Sequence, residues 1–243
     1  MRIRTLLFPV IEVSRALFRP LAERQDYGFV RNFVPLVLVV AATWWVTVPV
    51  HELLHAAGCV LCGGSVETLN IQAVYGGGLL EKLFPFVRSG GDYAGQLVGF
   101  DTGGSDVCYF VTSVFPFVLT VFFGVPLLVL ASRKGSTLLH GVGFVQAVLP
   151  VVALPGDFYE LGSIVVTRLM GLSSGSAGAR IVRGDDFFLV LDEYARAAPS
   201  AGLPSFPLPV LASAVLGVVF CFVVLDLSLL AAAVFRGRKP LEK

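Results

Sequence analysis

A stretch without a single charge, Phe33 to Val50, runs directly into His51-Glu52-Leu53-Leu54-His55. About 20 apolar residues suffice for one helix to cross a hydrocarbon layer, so this run reads as a membrane span. On a helix, residues four apart lie on one face, so His51 and His55 project together and can share a metal. Glu52 stands between them, where a carboxylate can take a proton from water. That is the ligand-and-base pattern of zinc-dependent hydrolysis. The same spacing recurs by chance in helical proteins. Inside a charge-poor apolar helix, however, two imidazoles and a carboxylate are costly unless something binds them, which marks them as functional candidates.

Composition points to the same environment. The chain of 243 residues is 56% hydrophobic and only 14% charged, against roughly 25% charged in soluble domains. A net charge of +1 offers no argument for a nucleic-acid partner. Apolar segments run from about Phe33 to Leu61, Val107 to Ser132, Thr137 to Met170 and Leu208 to Phe235. The third is interrupted by Pro150, Pro155-Gly156-Asp157 and Glu160, and the fourth holds one acid, Asp226. Near the N-terminus, Glu12 and Arg15 break any apolar region and no small-residue cleavage site follows, so no signal peptide is expected. Leu7, Val10/Ile11, Ser14, Leu17/Phe18 and Leu21 recur there at helical spacing among arginines. They read as an amphipathic helix lying on the membrane surface or packed against the bundle.

The fold class expected is therefore an all-α membrane protein. It has about four transmembrane helices, a small extracytoplasmic β-hairpin element and an N-terminal amphipathic helix. The segments expected are an interfacial 1–32, a core 33–170, an extracytoplasmic loop 171–207 with a short amphipathic helix, and a last span with basic tail, 208–243. Arginines before the first span (Arg2, Arg4, Arg15, Arg19, Arg24, Arg31), Arg133 and Lys134, and Arg236, Arg238, Lys239 and Lys243 fall on one side of a four-span arrangement. The positive-inside rule makes that side cytoplasmic, with both termini inside a bacterial-type cell membrane.

Depth tests the metal site. His51 lies about 20 residues beyond Arg31 and Asp157 about 23 beyond Lys134, which places both roughly 30 to 35 Å along their helices. A catalytic zinc site wants a third protein ligand and an open position for water. Asp157 is the candidate for that ligand, against the plainer reading of a helix-capping carboxylate, and Pro155-Gly156 can unwind the helix beside it. Glu160, on the same face, is a partner for the ligands or an alternative third ligand. Asp226 lies short of that depth and reads as a structural hydrogen-bonding group, and His140 begins the third span too far away to be a ligand. Cys59 and Cys62 form a C-x-x-C that can close as a disulfide in an oxidising compartment. The default for all four cysteines is apolar filler.

Taken together, the H-E-x-x-H of a membrane helix, the Gly-rich strand-like Gly63 to Gln72 after it, another span and Asp157 in a Pro-broken helix resemble the site-2 protease family. These are intramembrane zinc metalloproteases of the M50 type. The resemblance covers about Pro49 to Ser163. It implies a three-helix core with Zn2+ on His51, His55 and Asp157, Glu52 as the base, and a transmembrane protein or membrane-retained peptide as substrate. The chain departs from the family where Asn-x-x-Pro precedes Leu-Asp-Gly: here Gln146-Ala147-Val148-Leu149-Pro150 precedes Leu154-Pro155-Gly156-Asp157. The amide that would bind substrate is missing or supplied by Gln146. Val66 to Tyr75 reads as a strand ended by Gly76-Gly77-Gly78, either an edge for an unwound substrate or a hairpin packed on the bundle. Asp185 to Ala195 reads as an Asp-capped amphipathic helix, a lid or an interfacial rest. Two other readings stay open: a metal-binding scaffold or transport component that cleaves nothing, and a zinc hydrolase acting on lipid or lipidated peptide.

Overall fold

The computed structural model describes residues 11–15, 17, 29–173, 176–184, 186–197, 200, 202–204 and 207–236. Most of the expected N-terminal amphipathic helix, Asp185 and the basic tail beyond Arg236 lie outside them. A short helical piece at Ile11–Arg15 is what is described of that N-terminal segment.

Four helical stretches are long and apolar enough to cross a membrane: Phe33–Leu61, Asp106–Lys134, Thr137–Leu169 and Leu208–Val234. The first belongs to α1, Phe29–Leu61, whose 33 residues would extend about 50 Å at the α-helical rise. The second is not one rod. It comprises α3 (Asp106–Val114), a 3-10 turn at Phe115–Phe117, α4 (Val118–Phe123) and α5 (Val125–Lys134). Proline at position 116, which cannot donate to the helical ladder, and Gly124, at φ −74° and ψ −103°, mark the two breaks. The third comprises α6 (Thr137–Val152), a π-turn at Leu154–Phe158 and α7 (Tyr159–Leu169). Between α1 and α3 lie β1 (Ser65–Ile71), α2 (Gly77–Leu83), β2 (Val87–Ser89) and β3 (Gly95–Asp101). After α7 come α8 (Ala177–Val182), α9 (Phe187–Ala197) and α10 (Leu208–Arg236).

The β element is a three-stranded sheet in the order β2-β1-β3, not the expected hairpin. Gly76-Gly77-Gly78 does not reverse the strand. It opens α2, and this helical crossover returns β2 parallel to β1, which a two-residue turn cannot do. β3 then pairs antiparallel on the other side of β1, with Ile71 opposite Gly95 and Ser65 opposite Asp101. Leu69, Ile71 and Val87 are fully buried beneath Leu53, Leu80, Phe84 and Leu97, so the sheet packs on the helix that carries the H-E-x-x-H.

Contacts divide the chain into two units. One comprises Met1–Val46, Phe117–Val151 and Phe222–Lys243. Its interior replaces missing helical bonds with side chains. At the α4–α5 break the Ser228 hydroxyl donates to the Thr120 carbonyl at 2.7 Å and accepts from Val125 N at 3.1 Å. His140 is buried in this unit on α6, and Asp226 is an exposed position on α10.

The other unit comprises Thr47–Pro116 and Val152–Cys221. Here the expected 171–207 loop is built structure. Tyr159, Val182, Val190, Tyr194 and Val210 form a buried cluster. The Tyr159 hydroxyl donates to Val182 O at 2.6 Å and that of Tyr194 to Pro204 O at 2.8 Å. Asp186 caps α9, accepting from Phe188 N and Leu189 N at 2.9 and 3.1 Å.

Candidate metal centre

The second unit brings four ionisable side chains to one point, and each arrives for a local reason. Helical spacing puts His51 and His55 on one face of α1, with Nε2 atoms 3.1 Å apart. The π-turn carries Asp157 in, because Gly156 leaves helical geometry at φ −103° and ψ −108°. Asp157 Oδ2 then sits 2.9 Å from His51 Nε2, and Oδ1 3.6 Å from His55 Nε2. Ligands about 2.0–2.2 Å from a tetrahedral ion lie about 3.3 Å from one another. The 3.1 Å between the two Nε2 atoms and the 2.9 Å from His51 to Asp157 Oδ2 fall a few tenths of an ångström short of that value, and the 3.6 Å contact to His55 is made by the other oxygen, Oδ1. The three side chains therefore stand close enough together to share a metal.

Tautomer chemistry supports the fit. His55 Nδ1 lies 2.8 Å from the Thr112 carbonyl, which can only accept, so Nδ1 carries the proton. The Nε2 of the neutral ring then presents a lone pair to the point shared with His51 and Asp157. Anchoring the far nitrogen of a ligating histidine is how metal sites fix ring orientation. Both histidines are buried. Glu52 completes the cluster: one of its carboxylate oxygens lies within 4.8 Å of the ring nitrogens.

These groups open onto a cavity of about 130 Å³ lined by Glu52, His55, Asp157 and Glu160 on the helical side and Gly95, Gln96, Leu97 and Phe100 from β3. Gly95 belongs there for a steric reason. A Cβ at that position would collide with Glu52 Cγ and stand 3.0 Å from its Cδ. The strand backbone is thus the wall against which the Glu52 side chain rests.

Glu160 stands beside the cluster. Its oxygens accept from Tyr109 OH at 2.5 Å and Ser113 Oγ at 2.6 Å, hydroxyls on successive turns of α3. It lines the same cavity as His55 and Asp157. Behind it, the Arg183 guanidinium stands 5.9 Å from the Tyr109 ring centre, pairs with Asp106 at 2.9 Å and donates to Thr167 Oγ1 at 2.7 Å. Gln146 belongs to the first unit, buried on α6 with its carbonyl accepting from Thr120 Oγ1 at 2.8 Å.

The cysteines correct the sequence reading. Cys62 is bonded to Cys108, at a Cα–Cα distance of 5.4 Å, and Cys59 and Cys221 are free and buried. Pairing within the C-x-x-C does not occur because the end of α1 lies beside the start of α3, which brings Cys108 to Cys62. Sequence reasoning also missed Thr112, Tyr109, Ser113 and Gly95. Only Tyr109 and Ser113 carried a signal, their four-residue spacing on an apolar helix.

No family model matches the chain, and no curated protein and no solved structure matches it significantly.

Proposed function

We propose that this chain is an intramembrane zinc metalloendopeptidase that hydrolyses peptide bonds of membrane-spanning or membrane-retained substrates, as its resemblance to the site-2 protease family implies. The observation that carries the reading is the convergence of His51, His55 and Asp157 within 2.9 to 3.6 Å of one another, beside Glu52, directly after the charge-free stretch Phe33 to Val50 of α1. A bound zinc ion would supply Lewis acidity toward a carbonyl oxygen and a water whose pKa falls to about 7. His51, His55 and Asp157 hold the ion's place. The remaining chemistry belongs to this chain's own groups. Glu52, held against the Gly95 backbone, takes the proton of the attacking water and returns it to the leaving amine. The cavity between Glu52 and β3 receives an extended segment. A helical substrate must unwind before its carbonyl is accessible, and β3, an edge strand of the sheet among the described residues, offers backbone for strand addition.

The retained Glu52 favours catalysis over a metal-binding scaffold, since metal binding alone does not need that carboxylate. The test is Glu52→Gln, which preserves shape. We expect about one zinc per chain and a normal fold, with cleavage of transmembrane peptides reduced 10²–10⁴-fold, the usual worth of a positioned base. A variant that holds zinc and cleaves at the original rate would leave the scaffold reading standing.

A further inference from the structure

We propose that the Cys62–Cys108 disulfide positions the metal centre, by holding the Thr112 carbonyl against His55, so that the site takes its metal tightly only in the oxidised chain. The inference rests on the metal-site reading but not on peptide hydrolysis.

Three contacts lie in register along the antiparallel ends of α1 and α3. Outermost is the bond itself, from Cys62, one residue past α1, to Cys108 in the first turn of α3. One turn inward the helices meet at Gly58. A Cβ there would lie 2.7 Å from Phe115 Cβ and 3.1 Å from the Val111 carbonyl, so only glycine permits this approach without displacement. Next comes His55 Nδ1, 2.8 Å from the Thr112 carbonyl. Thr112 Oγ1 also donates to the Cys108 carbonyl at 2.9 Å. The covalently held residue and the residue bearing the acceptor therefore share one turn of α3.

A backbone acceptor differs from a side-chain acceptor in one respect that matters here. No rotamer can bring it back once the helix moves. The placement of the Thr112 carbonyl is the placement of α3 against α1, and the disulfide clamps that placement across a separation of 46 residues. Losing the outer partner of a ligating histidine typically costs 10–100-fold in metal affinity. The bond also keeps the Cys62 and Cys108 sulfurs from acting as thiolate ligands two turns from His55.

The experiment uses the full-length chain in detergent, purified under oxidising conditions, with zinc affinity read by competition against a chromophoric chelator. Cobalt substitution supplies a spectrum in which thiolate ligation shows as a charge-transfer band. The expected result is about one zinc per wild-type chain. Affinity should be 10–100-fold weaker in the Cys62→Ala/Cys108→Ala double variant and unchanged in Cys221→Ala. The folded wild type is also reduced with a water-soluble phosphine, which takes oxygen from one water and leaves two thiols and the phosphine oxide. Once the phosphine is removed, this chain should show either the same loss or a thiolate cobalt band. Equal zinc affinity in the oxidised wild type and the folded double variant overturns the proposal. If the double variant does not fold, the phosphine-reduced wild type decides: unchanged affinity without a thiolate band overturns it equally. An oxidised wild type that binds neither zinc nor cobalt overturns the metal centre itself, a distinguishable failure.

Discussion

At the scale of single residues, Asp157 and Glu160 are three positions apart yet have different work. Asp157 touches both histidines, and Glu160 touches two hydroxyls of α3. Asp157→Ala removes one of three converging donors and should strip zinc or weaken it strongly. Glu160→Gln keeps a group that can accept from Tyr109 and should retain about one zinc per chain, with a loss of tenfold or less. The opposite ranking, read by metal content after dialysis, would mean that Asp157 is not the ligand. Gly95→Ala should displace Glu52 while sparing the donors, so that zinc stays and cleavage falls about 10²-fold. His51, Glu52, His55 and Asp157 were legible in the sequence, because helical spacing and distance from basic flanks both survive in a linear string. The Thr112 carbonyl was not. Every residue has one, and only the tertiary approach of α3 selects it.

At the scale of elements, helix existence was readable from uncharged length, while breaks and crossovers were not. The second apolar segment looked like one span, yet Pro116 and Gly124 divide it, with Ser228 from α10 supplying hydrogen bonds at the second break. The strand after α1 was legible by alternation. Its partners were not, since the parallel β2 depends on α2 forming from a run that begins with three glycines. The Cys62–Cys108 bond was not legible for a related reason: apolar filler was the default for all four cysteines, and only the approach of the helix ends brings Cys108 to Cys62. The α1–α3 approach also supplies a prediction. Gly58→Leu should push α3 off α1 and weaken zinc binding, even with the disulfide intact. Unchanged affinity in a folded Gly58→Leu chain would show that the helix approach does not set the site. In the 171–207 segment, Tyr194→Phe deletes one hydroxyl bond to Pro204 and should cost about 1 kcal/mol of stability, read as a lowered Tm.

At the scale of the whole molecule, the four apolar helices and the basic flanks argue together for orientation. Arg133 and Lys134, between the second and third spans, are exposed, and the positive-inside rule assigns such a connection to the cytoplasm. In sequence, the sheet connects the first and second spans and α8 and α9 connect the third and fourth; the Cys62–Cys108 disulfide closes the first of these connections, and disulfides persist where a compartment is oxidising. The prediction is a labelling pattern. Cys59 and Cys221 are buried and the other two cysteines are bonded to each other, so an introduced surface thiol reports with little background. A membrane-impermeant maleimide applied to intact cells should label Ser173→Cys and leave Ser136→Cys unmodified until the membrane is opened. Labelling of Ser136→Cys from outside would invert the chain. It would place the disulfide in a reducing compartment and overturn the expected orientation with both termini inside.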